Sequence, residues 1–166
     1  MSDFYKIVKK ICDENKKVAL FIDMDGTVVE YIVYPEGTIT TKTKGIFLNK
    51  KPIYVVIEEL RKINNIQNID LYILSLSTSN IIVKEKEEWL KKYIDFIEEK
   101  NWIIINKEEG EYNKETRNYI KAEKIKKKLK NYDCTILLDD DHKILKQTQE
   151  ILKEKCYVFH VSSAIV

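Results

Sequence analysis

Five short runs of branched and aromatic residues, at positions 18–22, 71–74, 102–105, 135–138 and 157–161, alternate along the chain with stretches of helical periodicity. Ile53, Val56, Leu60 and Ile63 mark the first of these stretches, Trp89, Leu90, Tyr93, Ile94 and Ile97 the next. Ala122, Ile125 and Leu129 mark the third, and Ile144, Thr148, Ile151 and Leu152 the last. A near-continuous apolar run of four or five residues reads as a strand covered on both faces. Strands of that kind, separated by amphipathic helices, predict an α/β fold: a Rossmann-like three-layer sandwich built on a five-stranded, mostly parallel sheet. Such sheets bind ligands beyond the carboxyl ends of their strands, so the residues just after each run matter most.

The rest of the chain narrows the setting. Its 166 residues fit one domain, expected to span 1–166, with no repeat and no Pro/Gly/Ser-rich linker to divide it. Twenty-nine Lys and Arg against 27 Asp and Glu leave a formal charge of +2, which gives no global basic field for a nucleic-acid backbone. No apolar run approaches the roughly 18 residues that cross a bilayer, so no membrane partner is expected. Residues 1–17 mix acids and lysines with Phe4, Ile7, Val8 and Ile11 and lack a signal peptide's apolar block. Cys12, Cys134 and Cys156 have no zinc or disulfide spacing and read as buried thiols. The expected location is cytoplasmic.

The residues at the strand ends are polar. Asp23-Met24-Asp25-Gly26-Thr27 comes after the first run, Ser75 after the second, and Asp139, Asp140 and Asp141 after the fourth. Three carboxylates brought to one sheet edge repel one another, which raises their pKa values or demands a cation. Mg²⁺, a hard ion that takes oxygen ligands and keeps substrate phosphate oxygens in its shell, is the natural answer. The pattern points to a phosphate ester.

Phe21-Ile22-Asp23-Met24-Asp25-Gly26-Thr27-Val28 resembles the first motif of the haloacid dehalogenase-like (HAD) superfamily, in which an apolar strand delivers two aspartates followed by Gly-Thr. Tyr72-Ile73-Leu74-Ser75 is similar to its second motif and Ile136-Leu137-Leu138-Asp139-Asp140 to its fourth. The third motif, a lysine ahead of the acidic pair, is met by Lys121 or Lys124. Lys121 is preferred because Lys-Ala-Glu opening a helix resembles the 5'(3')-deoxyribonucleotidase branch, as does Lys86-Glu87-Glu88-Trp89-Leu90.

The resemblance implies a Mg²⁺-dependent phosphomonoester hydrolase with nucleotides among its candidate substrates. Asp23 would attack phosphorus to form an aspartyl-phosphate, and Asp25 would protonate the leaving oxygen and later activate water. The metal would sit between Asp23, the main-chain carbonyl of Asp25 and either Asp139 or Asp140, the latter preferred. Ser75 and Lys121 would hold the transferred group, with Gly26 and Thr27 letting backbone donors approach it. About 25 residues separate Thr27 from Pro52, too few for an independently cored cap, so a minimal cap is expected. The alternatives are a polynucleotide-end phosphatase, suited to an open site, and a Mg²⁺- and phosphate-binding interaction module without turnover.

Other features carry bland readings. Asp141 is expected to cap the following helix, and His142 and His160 have no expected role. The run 124–130 reads as a solvated helix face rather than a nucleic-acid site. Residues 30–52, the least regular stretch, read as an extended hairpin or flap. Its Tyr31, Tyr34 and Phe47 either stack against a nucleobase or pack the flap.

Overall fold

A computed structural model of the chain describes residues 2–38 and 43–166. The described elements are, in chain order, α1 (Asp3–Glu14), β1 (Val18–Ile22), α2 (Tyr54–Ile63), β2 (Ile69–Ser77), α3 (Asn80–Tyr93), β3 (Trp102–Asn106), α4 (Ile120–Lys128), β4 (Cys134–Asp139), α5 (His142–Leu152) and β5 (Cys156–His160). The strands form one five-stranded sheet in the order β3-β2-β1-β4-β5, every pairing parallel. None of the described helices is long and apolar enough to cross a membrane.

Strand alternation divides the core between the two faces of the sheet. Val18, Leu20 and Ile22 of β1 join the cluster that Phe4 and Val8 of α1, Leu60 of α2 and Trp89 of α3 complete. Ala19 and Phe21 point the other way, to Ala122 and Ile125 of α4 and Ile144 of α5. All five β1 residues are therefore buried, which is why the run reads as unbroken apolar sequence. Helix starts are set by side chains where the sequence offers them. Ser2 accepts from the Tyr5 N–H and Ser79 from the Ile82 N–H, while Asp141 accepts from Lys143 and Ile144, the cap expected of it.

Two expectations differ from the structure. The helix placed around residues 89–97 begins earlier, at Asn80, and ends at Tyr93, because Ser79 caps its start and Ile94 and Ile97 are buried by a turn beyond its end. The stretch 30–52 forms no strand among the described residues. An isolated bridge between Val29 and Pro52 closes its base, and turns occupy 36–38 and 44–49. The part of the expected hairpin at 39–42 lies outside the described residues.

Candidate active site and metal centre

β1 is the middle strand, and the chain leaves it for β2 on one side while β4 lies on the other. A crevice opens at such a reversal of strand order, beyond the carboxyl ends, and the three acidic and hydroxylic motifs end there. The Asp23 N–H donates to the Leu138 carbonyl at 3.0 Å, which continues the β1–β4 pairing one residue past the strand and fixes the carboxylate's height. Met24 is fully buried, and its carbonyl accepts from the N–H groups of Thr27, Val28 and Val29, each at 3.0 Å. That tight turn forces φ of +77° on Gly26. A Cβ there would also lie 2.6 Å from Asp140 Cγ, so glycine is required both by the turn and by the carboxylate packed over it.

Asp23, Asp139 and Asp140 each offer an oxygen within 4.8 Å of the others'. Lys121, 1% exposed, donates to Asp23 Oδ1 and to Asp139 Oδ2, both at 2.6 Å. Lys124 instead points to Glu111 at 3.8 Å, so of the two candidate lysines Lys121 is the one inside the cluster. Asp139 Oδ1 accepts from the Asp141 N–H at 3.0 Å, which leaves both Asp139 oxygens engaged. Thr27, fully buried, donates from Oγ1 to Asp23 Oδ2 at 3.5 Å.

One ammonium against three carboxylates leaves two negative charges unmatched, and the acidities reflect it. Burial, then repulsion from Asp139, pushes the Asp23 carboxyl well above the usual range against the pull of Lys121. The same two causes raise Asp140 to about 6. Burial would lower Lys121, but Asp23 and Asp139 outweigh it and hold the ammonium charged. A largely buried set of hard oxygen donors short of positive charge fits Mg²⁺, and Asp140, the acid of the three that Lys121 does not bind, is the side chain most available to it, with Asp23 and Asp139 beside it.

Asp25 sits in different company. Lys50 donates to its Oδ1 at 2.7 Å and Lys86 to its Oδ2 at 2.9 Å. Burial acts to raise this carboxyl, but the Lys86 and Lys50 ammoniums outweigh it and hold it below the ordinary range. Lys86, 1% exposed, also donates to Ser75 Oγ and to the Leu76 carbonyl, both at 2.7 Å. Ser75 lies inside β2, two residues short of its end, and its hydroxyl faces Lys86 rather than lining either cavity that Asp25 borders. Lys121 and Lys86 thus come to the sheet edge from opposite faces, one from α4 and one from α3.

Sequence reasoning did not single out Lys50, and it used Lys86 only as a mark of resemblance. For Lys86 a local signal exists: it falls four residues after Ile82 and three before Trp89, on the buried stripe of α3, where a lysine needs a partner. Lys50 has none, since it lies in an aperiodic loop. That loop is clamped from α3. Glu85 accepts from the N–H groups of Gly45, Phe47 (2.8 Å) and Leu48 (3.0 Å), and Trp89 Nε1 donates to the Lys50 carbonyl at 2.9 Å. Phe47 packs edge-on against Trp89, with ring centres 6.3 Å apart.

No protein-family model matches the chain, and no relative was found among curated proteins. Among solved structures it is similar to the HAD domain of effector protein Lem4 from Legionella pneumophila, with a TM-score of 0.51, 14% sequence identity and 87% of each chain covered. The likeness is one of fold, and it makes the fold HAD-like.

Proposed function

We propose that this chain is a Mg²⁺-dependent phosphomonoester hydrolase that works through an aspartyl-phosphate on Asp23. The observation that carries this reading is the cluster of Asp23, Asp139 and Asp140, the first two buried and joined by Lys121, next to a fourth carboxylate, Asp25, paired with two ammoniums. Mg²⁺ on Asp23 and Asp140 would supply charge neutralisation at the transferred phosphoryl oxygens.

Asp23 is the nucleophile, its carboxylate fixed by Lys121 at Oδ1 and by the Thr27 hydroxyl at Oδ2. Attack forms the Asp23–phosphorus bond and breaks the ester bond, and Asp25, ionised between its two lysines, passes a proton from one of those ammoniums to the departing oxygen. Asp25 then accepts a proton from water as that water attacks phosphorus and returns it to the lysine, which frees Asp23 and inorganic phosphate.

Lys86 and Trp89 within the nucleotidase-like segment put nucleoside monophosphates into the first substrate panel, beside sugar phosphates and phosphorylated DNA ends. With Mg²⁺, hydrolysis of p-nitrophenyl phosphate is expected, and Asp23→Asn is expected to lower it at least about a thousandfold. Tight Mg²⁺ binding with no turnover anywhere on the panel would leave the interaction-module reading instead.

A further inference from the structure

Asp25 borders two cavities, and the three carboxylates of the cluster line only the larger. The larger, about 680 Å³, is lined by Asp23, Asp139, Asp140, Arg117, Lys121 and Lys143 among others and suits a cation and a phosphoryl group. The smaller, about 220 Å³, has walls of Ile32, Tyr34, Ile46, Phe47, Leu76 and Ile82. Thr78, Asp25, Lys50 and Lys86 complete it, and both ammoniums stand 5.0 Å from the centre of the Phe47 ring.

We infer that this smaller recess receives the leaving group, and that the substrates are phosphomonoesters of a compact apolar alcohol, above all a single aromatic ring. The inference rests on the hydrolase reading above and names the substrate class of the same site.

Reach, size and polarity all favour such a ring. The group that passes the proton must lie within hydrogen-bond reach of the leaving oxygen, so the organic part of the ester starts at Asp25; of the two cavities Asp25 borders, the larger holds the carboxylate cluster and the phosphoryl group, which leaves this recess to the organic part. An apolar cavity of about 150 Å³ takes up benzene, whereas drug-sized ligands occupy roughly 300–1,000 Å³. At about 220 Å³ the recess matches one substituted ring and falls below the range of drug-sized sites. Besides Asp25 and the two lysines, its described lining offers only the hydroxyls of Tyr34 and Thr78 as polar side-chain groups. A sugar would strand several hydroxyls there, each at a cost of about tenfold in affinity. An aryl ring strands none, and Lys50 and Lys86 sit where negative charge develops on its oxygen.

The test compares kcat/KM for phenyl phosphate, glucose 6-phosphate, adenosine 5'-monophosphate and acetyl phosphate with Mg²⁺, in the wild type, in Ile46→Trp and in Tyr34→Ala. Both substitutions fall on half-buried loop residues, and thermal melting checks that each variant folds. Phenyl phosphate is expected to exceed the glucose and adenosine esters by at least about tenfold, and Ile46→Trp to lower the phenyl-to-acetyl ratio by a similar factor. In parallel, calorimetry measures phenylphosphonate and methylphosphonate binding to the wild type, with the phenyl compound expected to bind at least about tenfold tighter.

Turnover with glucose 6-phosphate or the nucleotide matching phenyl phosphate, or a phenyl-to-acetyl ratio unmoved in both variants, overturns the recess and leaves the hydrolase standing. Absence of turnover on every ester overturns the hydrolase. The phosphonate pair then decides the recess alone, since equal affinities overturn it.

Discussion

Lys121 is the residue on which the acidic cluster most depends. Its ammonium is the only protein cation bonded to Asp23 and Asp139 among the described residues, and all three side chains are less than a tenth exposed. Taking one partner from a buried ionic set leaves the others' charges unmatched, a loss of about 3–5 kcal/mol. Lys121→Met is therefore expected to lower stability by that amount in metal-free urea unfolding. Lys124→Met, which loses a 3.8 Å contact to a half-exposed Glu111, should stay within about 1 kcal/mol of the wild type. Equal losses in the two variants would contradict the assignment of Lys121 to the cluster. Local pattern shows Lys121 only faintly. It stands four residues before Ile125 and next to Ala122, on the buried side of α4, in a helix otherwise rich in solvated lysine.

At the scale of elements, α3 does more than cover the sheet. Glu85, Lys86 and Trp89 lie within five residues of one another on its inner side and take hold of the loop at 45–50 and of Asp25. Glu85 is 8% exposed and accepts three backbone N–H groups that no strand or helix partner satisfies. Losing a buried acceptor of this kind costs about 1–3 kcal/mol. Glu85→Ala is expected to lower the urea midpoint accordingly and to speed amide exchange at Phe47 and Leu48, with Val18–Ile22 unchanged. Faster exchange throughout the sheet would show a general loss of structure rather than release of the loop. Phe47 packs that loop against Trp89, the packing reading of this aromatic, and its ring also lines the recess beside Asp25.

The whole molecule joins these parts through the strand order. Because β1 lies between β2 and β4, Asp23 just past its end is joined through Lys121 to Asp139 of one neighbour, and Asp25 two residues on is joined through Lys86 to Ser75 of the other, all of these partners distant in sequence. A ligand that binds only the folded chain stabilises it by about 2.7 kcal/mol at a hundredfold excess over its dissociation constant. Mg²⁺ is thus expected to raise the melting temperature in proportion to the logarithm of its concentration. Asp140→Asn should weaken that dependence, because Asp140 is the acid of the pair not already bound by Lys121. A dependence unchanged in Asp140→Asn would place the ion elsewhere.

The layered α/β architecture could be read from the sequence because a strand buried on both faces leaves an unbroken apolar run, and the five runs reappear in the five strands, with ends shifted by at most three residues. The acidic residues of the site were legible for a related reason: local order places Asp23, Asp25, Asp139 and Asp140 at strand ends, and a parallel sheet gathers those ends. Charge balance was not. The partition into one carboxylate cluster short of cations and one carboxylate with two ammoniums depends on Lys50, delivered by a loop without periodicity, and on Lys86, delivered by a helix on the opposite face from Lys121. Side chains that meet only after the layers close leave no spacing in the chain, and for those the tertiary structure alone decides.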